Sequence, residues 1–125
     1  SVQAELGRWC LLHYPQTLRK RKENARFLDR HIALNTWPVD KAVEPAWLKQ
    51  KIQIPGNRTR SLSRLLERKG IRAGNFNWSC LIDGQGLESC PRSMDAATNW
   101  MDVPVHQNLT DSNISQLIDV FEEAG

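Results

Sequence analysis

Met101-Asp102-Val103-Pro104-Val105-His106, followed by Leu109-Thr110-Asp111, decides how this chain is read. The first six residues form a short strand, and the next three open a C-terminal helix. That helix places Ile114, Leu117, Ile118 and Phe121 on one face at spacings of three and four. Asp119, Glu122 and Glu123 fall on the other face. Thr110 or Asp111 can cap it, because a side-chain oxygen there accepts from the unpaired amides of the first turn. Asp111 also suits the positive end of the helix dipole. A strand, a turn and an amphipathic helix in this order close a small α/β core.

Working outward, residues 47–54 alternate, with Leu48, Ile52 and Ile54 on one side and Lys49 and Lys51 on the other, a strand with one wet face. Pro55-Gly56-Asn57 breaks it. Residues 58–69 form a helix buried through Leu62, Leu65 and Leu66, and Gly70 supplies a left-handed C-terminal cap on which Ile71 folds back. A second strand covers 71–78, with Phe76 and Trp78 on one side and Ile71, Ala73 and Asn75 on the other. Asp83-Gly84-Gln85-Gly86 is a loop that lacks the spacing and lysine of a phosphate cradle. Residues 91–100 form a short helix with Pro91 in its first turn.

Before the first strand, residues 2–12 are helical, Tyr14-Pro15 marks a bend, and a second helix runs over 16–33. It turns Leu18, Ala25, Leu28 and Ile32 inward. Residues 35–45, with Pro38, Asp40 and Pro45, are a connecting loop. The expected fold is therefore α/β: a two-layer sandwich with a small, mainly antiparallel sheet and helices on one face. Residues 1–34 are N-terminal helices leading into a small α/β domain over 35–125, the whole folding as one unit.

Composition narrows the function. The chain has 125 residues, 40% of them hydrophobic, and five tryptophans, enough for one core. It contains no apolar run of about 18 residues that would span a membrane, and no secretory signal is visible. Cys10, Cys80 and Cys90 are odd in number and scattered, so they build neither a disulfide framework nor a CxxC metal knuckle, and a reducing cytoplasmic setting is expected. His13, His31 and His106 are too dispersed for a zinc site, and no signature supports a thiol nucleophile paired with any of them. The four Asn-x-Ser/Thr triplets at 57, 77, 108 and 113 read as caps and turns. The net charge of +3 is densest at Arg19-Lys20-Arg21-Lys22. These four fit the solvated face of the helix over 16–33, so no nucleic-acid partner is expected from them.

Several segments carry a resemblance. Ser1-Val2-Gln3-Ala4-Glu5-Leu6-Gly7 and Arg21-Lys22-Glu23-Asn24-Ala25-Arg26-Phe27-Leu28 occur in order with Glu67-Arg68-Lys69-Gly70-Ile71-Arg72-Ala73-Gly74, Cys90-Pro91, Val103-Pro104-Val105-His106 and Leu109-Thr110. Together they resemble, end to end, the C-terminal portion of the DegT/DnrJ/EryC1/StrS family of sugar aminotransferases. The resemblance implies the small domain of the aspartate-aminotransferase fold. It also implies a parent enzyme that uses pyridoxal phosphate, the missing large domain and a second subunit as partners in a homodimer, and a keto-sugar substrate, often nucleotide-linked.

In that family the Schiff-base lysine, the aspartate facing the pyridine nitrogen and the phosphate ligands lie in the large domain. None of Lys20, Lys22, Lys41, Lys49, Lys51 or Lys69 sits in a matching motif, so no catalytic and no cofactor-binding residue is assigned here. The same resemblance implies a substrate-cleft rim at Asn75, Phe76, Asn77, Trp78 and His106. The wording Asn77-Trp78-Ser79-Cys80 departs from the commoner histidine- or tyrosine-proline of the family. Three function classes follow: a non-catalytic piece of such an aminotransferase, a stand-alone binding or assembly module that lost the cofactor domain, and a basic nucleic-acid-binding domain using Arg19 to Lys22 and Arg58 to Arg72.

Overall fold

Helix α1 runs without interruption over Val2–His31 and contains Pro15. The structure, a computed structural model, describes residues 1–36, 45–75 and 90–124. The expected bend at Tyr14-Pro15 is therefore corrected to one continuous helix. Pro15 removes the amide that would have bonded the Leu11 carbonyl and crowds that carbonyl, but its φ is compatible with a helix and the turns on either side continue through it. Ser1 caps the start, its hydroxyl accepting from the Ala4 amide at 3.4 Å. The two halves of α1 differ in environment. Ala4, Leu6, Leu11 and Leu12 are all exposed, whereas Ala25, Leu28 and Ile32 are buried in the core and Leu18 is half-buried.

Three described strands form one antiparallel sheet in the order β1-β3-β2. Strand β1 is Lys49–Gln53 and β3 is Trp100–Pro104, with Lys51 opposite Asp102 and Gln50 opposite Val103. Strand β2 is Gly74–Asn75, with Asn75 opposite Met101. Thr36 makes an isolated bridge to Ile52 beside β1. Gln50, Ile52 and Ile54 alternate inward along β1, as Met101, Val103 and Val105 do along β3. Leu48, expected on the buried side, is exposed instead. Trp47 takes a left-handed backbone with φ of 48° just before β1, and it is Trp47 that packs against the core.

Helix α2 spans Thr59–Arg68 and buries Thr59, Leu62 and Leu66. It ends as its sequence requires. Gly70 has φ of 79°, the Gly70 amide donates to the Glu67 carbonyl at 2.9 Å, and the Ile71 amide donates to the Leu66 carbonyl at 2.9 Å. This pair of bonds is a Schellman motif, and Leu66 and Ile71 are both buried in the same cluster. Helix α3, Pro91–Asn99, carries Pro91 at its start. Thr59 ties the two helices, its Oγ1 donating to the Thr98 carbonyl at 3.0 Å.

Helix α4, Asp111–Ala124, is capped by Thr110. The Asn113 amide donates to Thr110 Oγ1 at 3.2 Å, and Asn113 Oδ1 accepts from the Thr110 amide at 3.1 Å, a reciprocal box with asparagine in place of glutamate. Ile114, Leu117 and Phe121 are buried and Ile118 packs at the margin, as the spacing predicts. Val120 joins them. Each such side chain contributes about 1.5–3 kcal/mol by leaving water. The loop over 83–86, the end of the second strand over 76–78 and most of the connection over 35–45 lie outside the described residues.

Candidate functional site

The turn after β3 is held from the side by α1. Asn24 lies on the Leu28 and Ile32 stripe, four residues before Leu28, and is 2% exposed. A buried amide must find partners. Its Nδ2 donates to the Val105 carbonyl at 3.3 Å and to the His106 carbonyl at 3.0 Å. One turn earlier, Arg21 Nε donates to Gln107 Oε1 at 3.0 Å. The Leu109 amide then closes the turn on the His106 carbonyl at 3.2 Å. His106 is thus fixed through its backbone while its side chain stays exposed and borders an open groove that Pro104, Gly74 and Asn113 also line.

Register decides which rim residues meet. Asn75 pairs with Met101, one residue from the start of β3. His106 follows the other end of that strand. Five residues separate Met101 from His106, about 16 Å at the usual rise of an extended chain. The structure does not bring Asn75 and His106 together. Phe76, Asn77 and Trp78 lie outside the described residues.

Charge on the wet face of the sheet is largely internal. Lys51 Nζ meets Asp102 Oδ1 at 2.6 Å across the β1-β3 pair, and Lys49 Nζ approaches Asp102 Oδ2 at 3.6 Å. On the opposite face Gln50, 3% exposed, donates from Nε2 to Asp29 Oδ1 at 2.5 Å. Desolvation raises the Asp29 carboxyl above the usual carboxylate range, and hydrogen bonds with Thr36 and Gln50 pull it partly back. His13 and His31 serve α1 itself. Each pairs its Nδ1 with the carbonyl four residues earlier at 2.8 Å and stacks on the aromatic ring there, Trp9 or Phe27.

Among the described residues no cluster of three or more histidines, cysteines or carboxylates is placed to hold a metal. The described residues also do not fit pyridoxal phosphate. Every described lysine is at least partly exposed, and Lys49 and Lys51 are committed to Asp102. A Schiff-base lysine needs a desolvated amine, which none of the described lysines has. No helix of the described residues is long and apolar enough to cross a membrane.

Sequence reasoning did not single out Asn24 as the clamp on residues 105 and 106, nor the bond between Gln50 and Asp29. Position 24 does carry a signal, since a polar residue on an apolar stripe of period four demands a buried partner. Trp47 carries none: neither its positive φ nor its buried indole N–H, which has no hydrogen-bond partner among the described residues, is written in the local sequence.

No family model matches the sequence, and no curated protein matches it at sequence level. Solved structures do match in fold. Spr1654 of Streptococcus pneumoniae, known in apo, PLP and PMP forms, superposes with a TM-score of 0.82 at 19% identity over 97% of this chain and 34% of its own. The sugar aminotransferase CalS13 of Micromonospora echinospora matches with a TM-score of 0.71 at 22% identity over 89% of this chain and 31% of its own. A DegT DnrJ EryC1 StrS aminotransferase of Brucella abortus matches with a TM-score of 0.71 at 15% identity over 90% and 32%. The resemblance read from the motifs therefore holds in three dimensions: this chain has the fold of about a third of an aminotransferase of that type.

Proposed function

We propose that this chain is the C-terminal small domain of a pyridoxal-phosphate-dependent aminotransferase acting on a keto-sugar, often nucleotide-linked, with the amino group usually drawn from glutamate. The observation that carries the reading is the fold likeness, which spans nearly all of this chain and about a third of each enzyme it matches. In this reading the chain is not catalytic alone. The cofactor and the lysine that anchors it belong to a large domain, the assembly is a cytoplasmic homodimer, and residues 75–78 and 106 face the cleft. Residues 1–34 lead in from the large domain and 35–125 form a two-layer sandwich.

Two features support it. The inward alternation of Ile52, Ile54, Met101, Val103 and Val105, against outward Lys49, Lys51 and Asp102, suits a sheet covered by helices on one face. The first half of α1 exposes Val2, Leu6, Trp9 and Leu12, apolar surface of the kind a further domain covers. The intact mass of the natural gene product in its source cells, followed by its absorbance spectrum, is the test. A product far heavier than the 14.3 kDa of this chain, carrying the visible absorbance of bound cofactor, is the expected result. A natural product of this mass without cofactor overturns the reading in favour of a stand-alone binding module.

A further inference from the structure

The two halves of α1 differ in what holds them. Every residue from Ser1 to Leu12 is exposed. Among the described residues, the side chains of this stretch bond only within it: Ser1 Oγ to the Ala4 amide, Arg8 Nε to Glu5 Oε2 at 3.7 Å, and His13 to the Trp9 carbonyl at 2.8 Å with its ring stacked on the indole. The second half is tied to remote segments. Ala25, Leu28 and Ile32 enter the core cluster, Arg21 bonds Gln107, and Asn24 holds the carbonyls of Val105 and His106. Pro15 stands between the halves and has no amide to give the Leu11 carbonyl. We propose that residues 1–14 are a separate folding unit, with Pro15 as its boundary, that opens and closes while the core of the chain stays intact.

Length, composition and anchoring place the boundary there. A helix gains little per residue by propagation, and isolated helices shorter than about 12–15 residues are marginal in water. Residues 2–14 are of that length, and no buried side chain among them adds tertiary stabilisation. Gly7 weakens their middle, since glycine gives up more backbone freedom than any other residue. Helix growing back from the anchored half has to pass Pro15, where one bond is missing and the ring crowds the preceding turn. Beyond Pro15 the balance reverses. Ala25 and Leu28 share one cluster with Ile52 of β1 and Met101 and Val103 of β3, so the turns that carry them open only when the core opens. The remainder of α1 therefore folds with the sheet although it precedes the connection over 35–45. This division holds whatever surface covers the first half, and so it does not rest on the aminotransferase reading.

Hydrogen exchange of the 125-residue chain, read by mass spectrometry on peptides either side of Pro15, tests the proposal. The chain is diluted until it sediments as a monomer, so that self-association does not protect the first half. Leu6→Lys with Leu11→Lys supplies the monomer where dilution does not. Amides over 5–14 are expected to exchange at least about 100-fold faster than those over 24–31. Urea below the unfolding midpoint speeds exchange over 24–31 steeply and barely changes it over 5–14, because a solvated helix exposes little new surface when it opens. Pro15→Ala restores the missing bond and slows exchange over 5–14 by about tenfold, with 24–31 unchanged. Equal protection on the two sides of Pro15 overturns the proposal, as does a shared dependence on urea. An unchanged rate over 5–14 in Pro15→Ala also overturns it, since Pro15 would then mark no boundary.

Discussion

Asn24 joins two segments eighty-one positions apart in sequence, donating from α1 to the Val105 carbonyl and to its neighbour His106. Replacing it with alanine removes the Asn24 bond to the buried Val105 carbonyl, while the His106 carbonyl keeps the Leu109 amide, and one such orphaned group costs about 1–3 kcal/mol. The expected outcome for Asn24→Ala is a urea midpoint lowered by that amount with an unchanged m-value, because the same surface is exposed on unfolding. Asn24→Asp is expected to be worse, since a carboxylate offers only acceptors to two carbonyl oxygens. An Asn24→Asp variant as stable as the parent would show that these bonds do not hold the turn. At this scale the sequence is legible where a residue breaks a pattern, as Asn24 does on its apolar stripe and Gln50 does among Ile52 and Ile54. It is silent where the cause is remote: the left-handed Trp47 displaces Leu48 from its expected burial through a backbone turn that no local residue type announces.

Helix ends are legible because their causes are local. Thr110 and Asn113 are three residues apart and cap α4, and Gly70 ends α2 through bonds that stay within six residues. Gly70→Ala places a Cβ on a backbone with φ of 79°, and no atom lies within 4 Å of it. The penalty is therefore purely conformational, about 1–2 kcal/mol, and Gly70→Asn is expected to recover part of it because asparagine tolerates this region. Gly7→Ala, in open space and within α1, has the opposite sign: it favours helix by about 0.5–1 kcal/mol. Thermal melts of the three variants check the order. Equal losses for alanine and asparagine at position 70 would show that the cap is not set by its φ. The continuity of α1 through Pro15 was not legible, because the residue that weakens a helix locally does not decide whether neighbouring turns continue it.

At the scale of the whole molecule, strand order and register are non-local, and there the candidate site escapes a linear reading. Asn75 and His106 both adjoin β3, yet pairing of Asn75 with Met101 sets them toward opposite ends of it. The first half of α1 poses a related question of partners. Val2, Leu6 and Trp9 recur at spacings of four and three on one side, whereas Leu11 and Tyr14 fall on the other, and all are exposed. A helix that is apolar all round is normally buried all round. One symmetric contact between two copies covers only one of these sides, so the isolated chain is expected to form a broad, concentration-dependent series of oligomers rather than a clean dimer. Sedimentation velocity over a range of concentrations measures this. Leu6→Lys with Leu11→Lys places one charge on each side and should leave a single monomeric boundary. The melting temperature of that variant should be unchanged, because neither residue belongs to the core cluster. A parent chain that sediments as a strict monomer at high concentration would mean that this helix tolerates water on all sides, and the argument that it awaits a covering domain would fail with it.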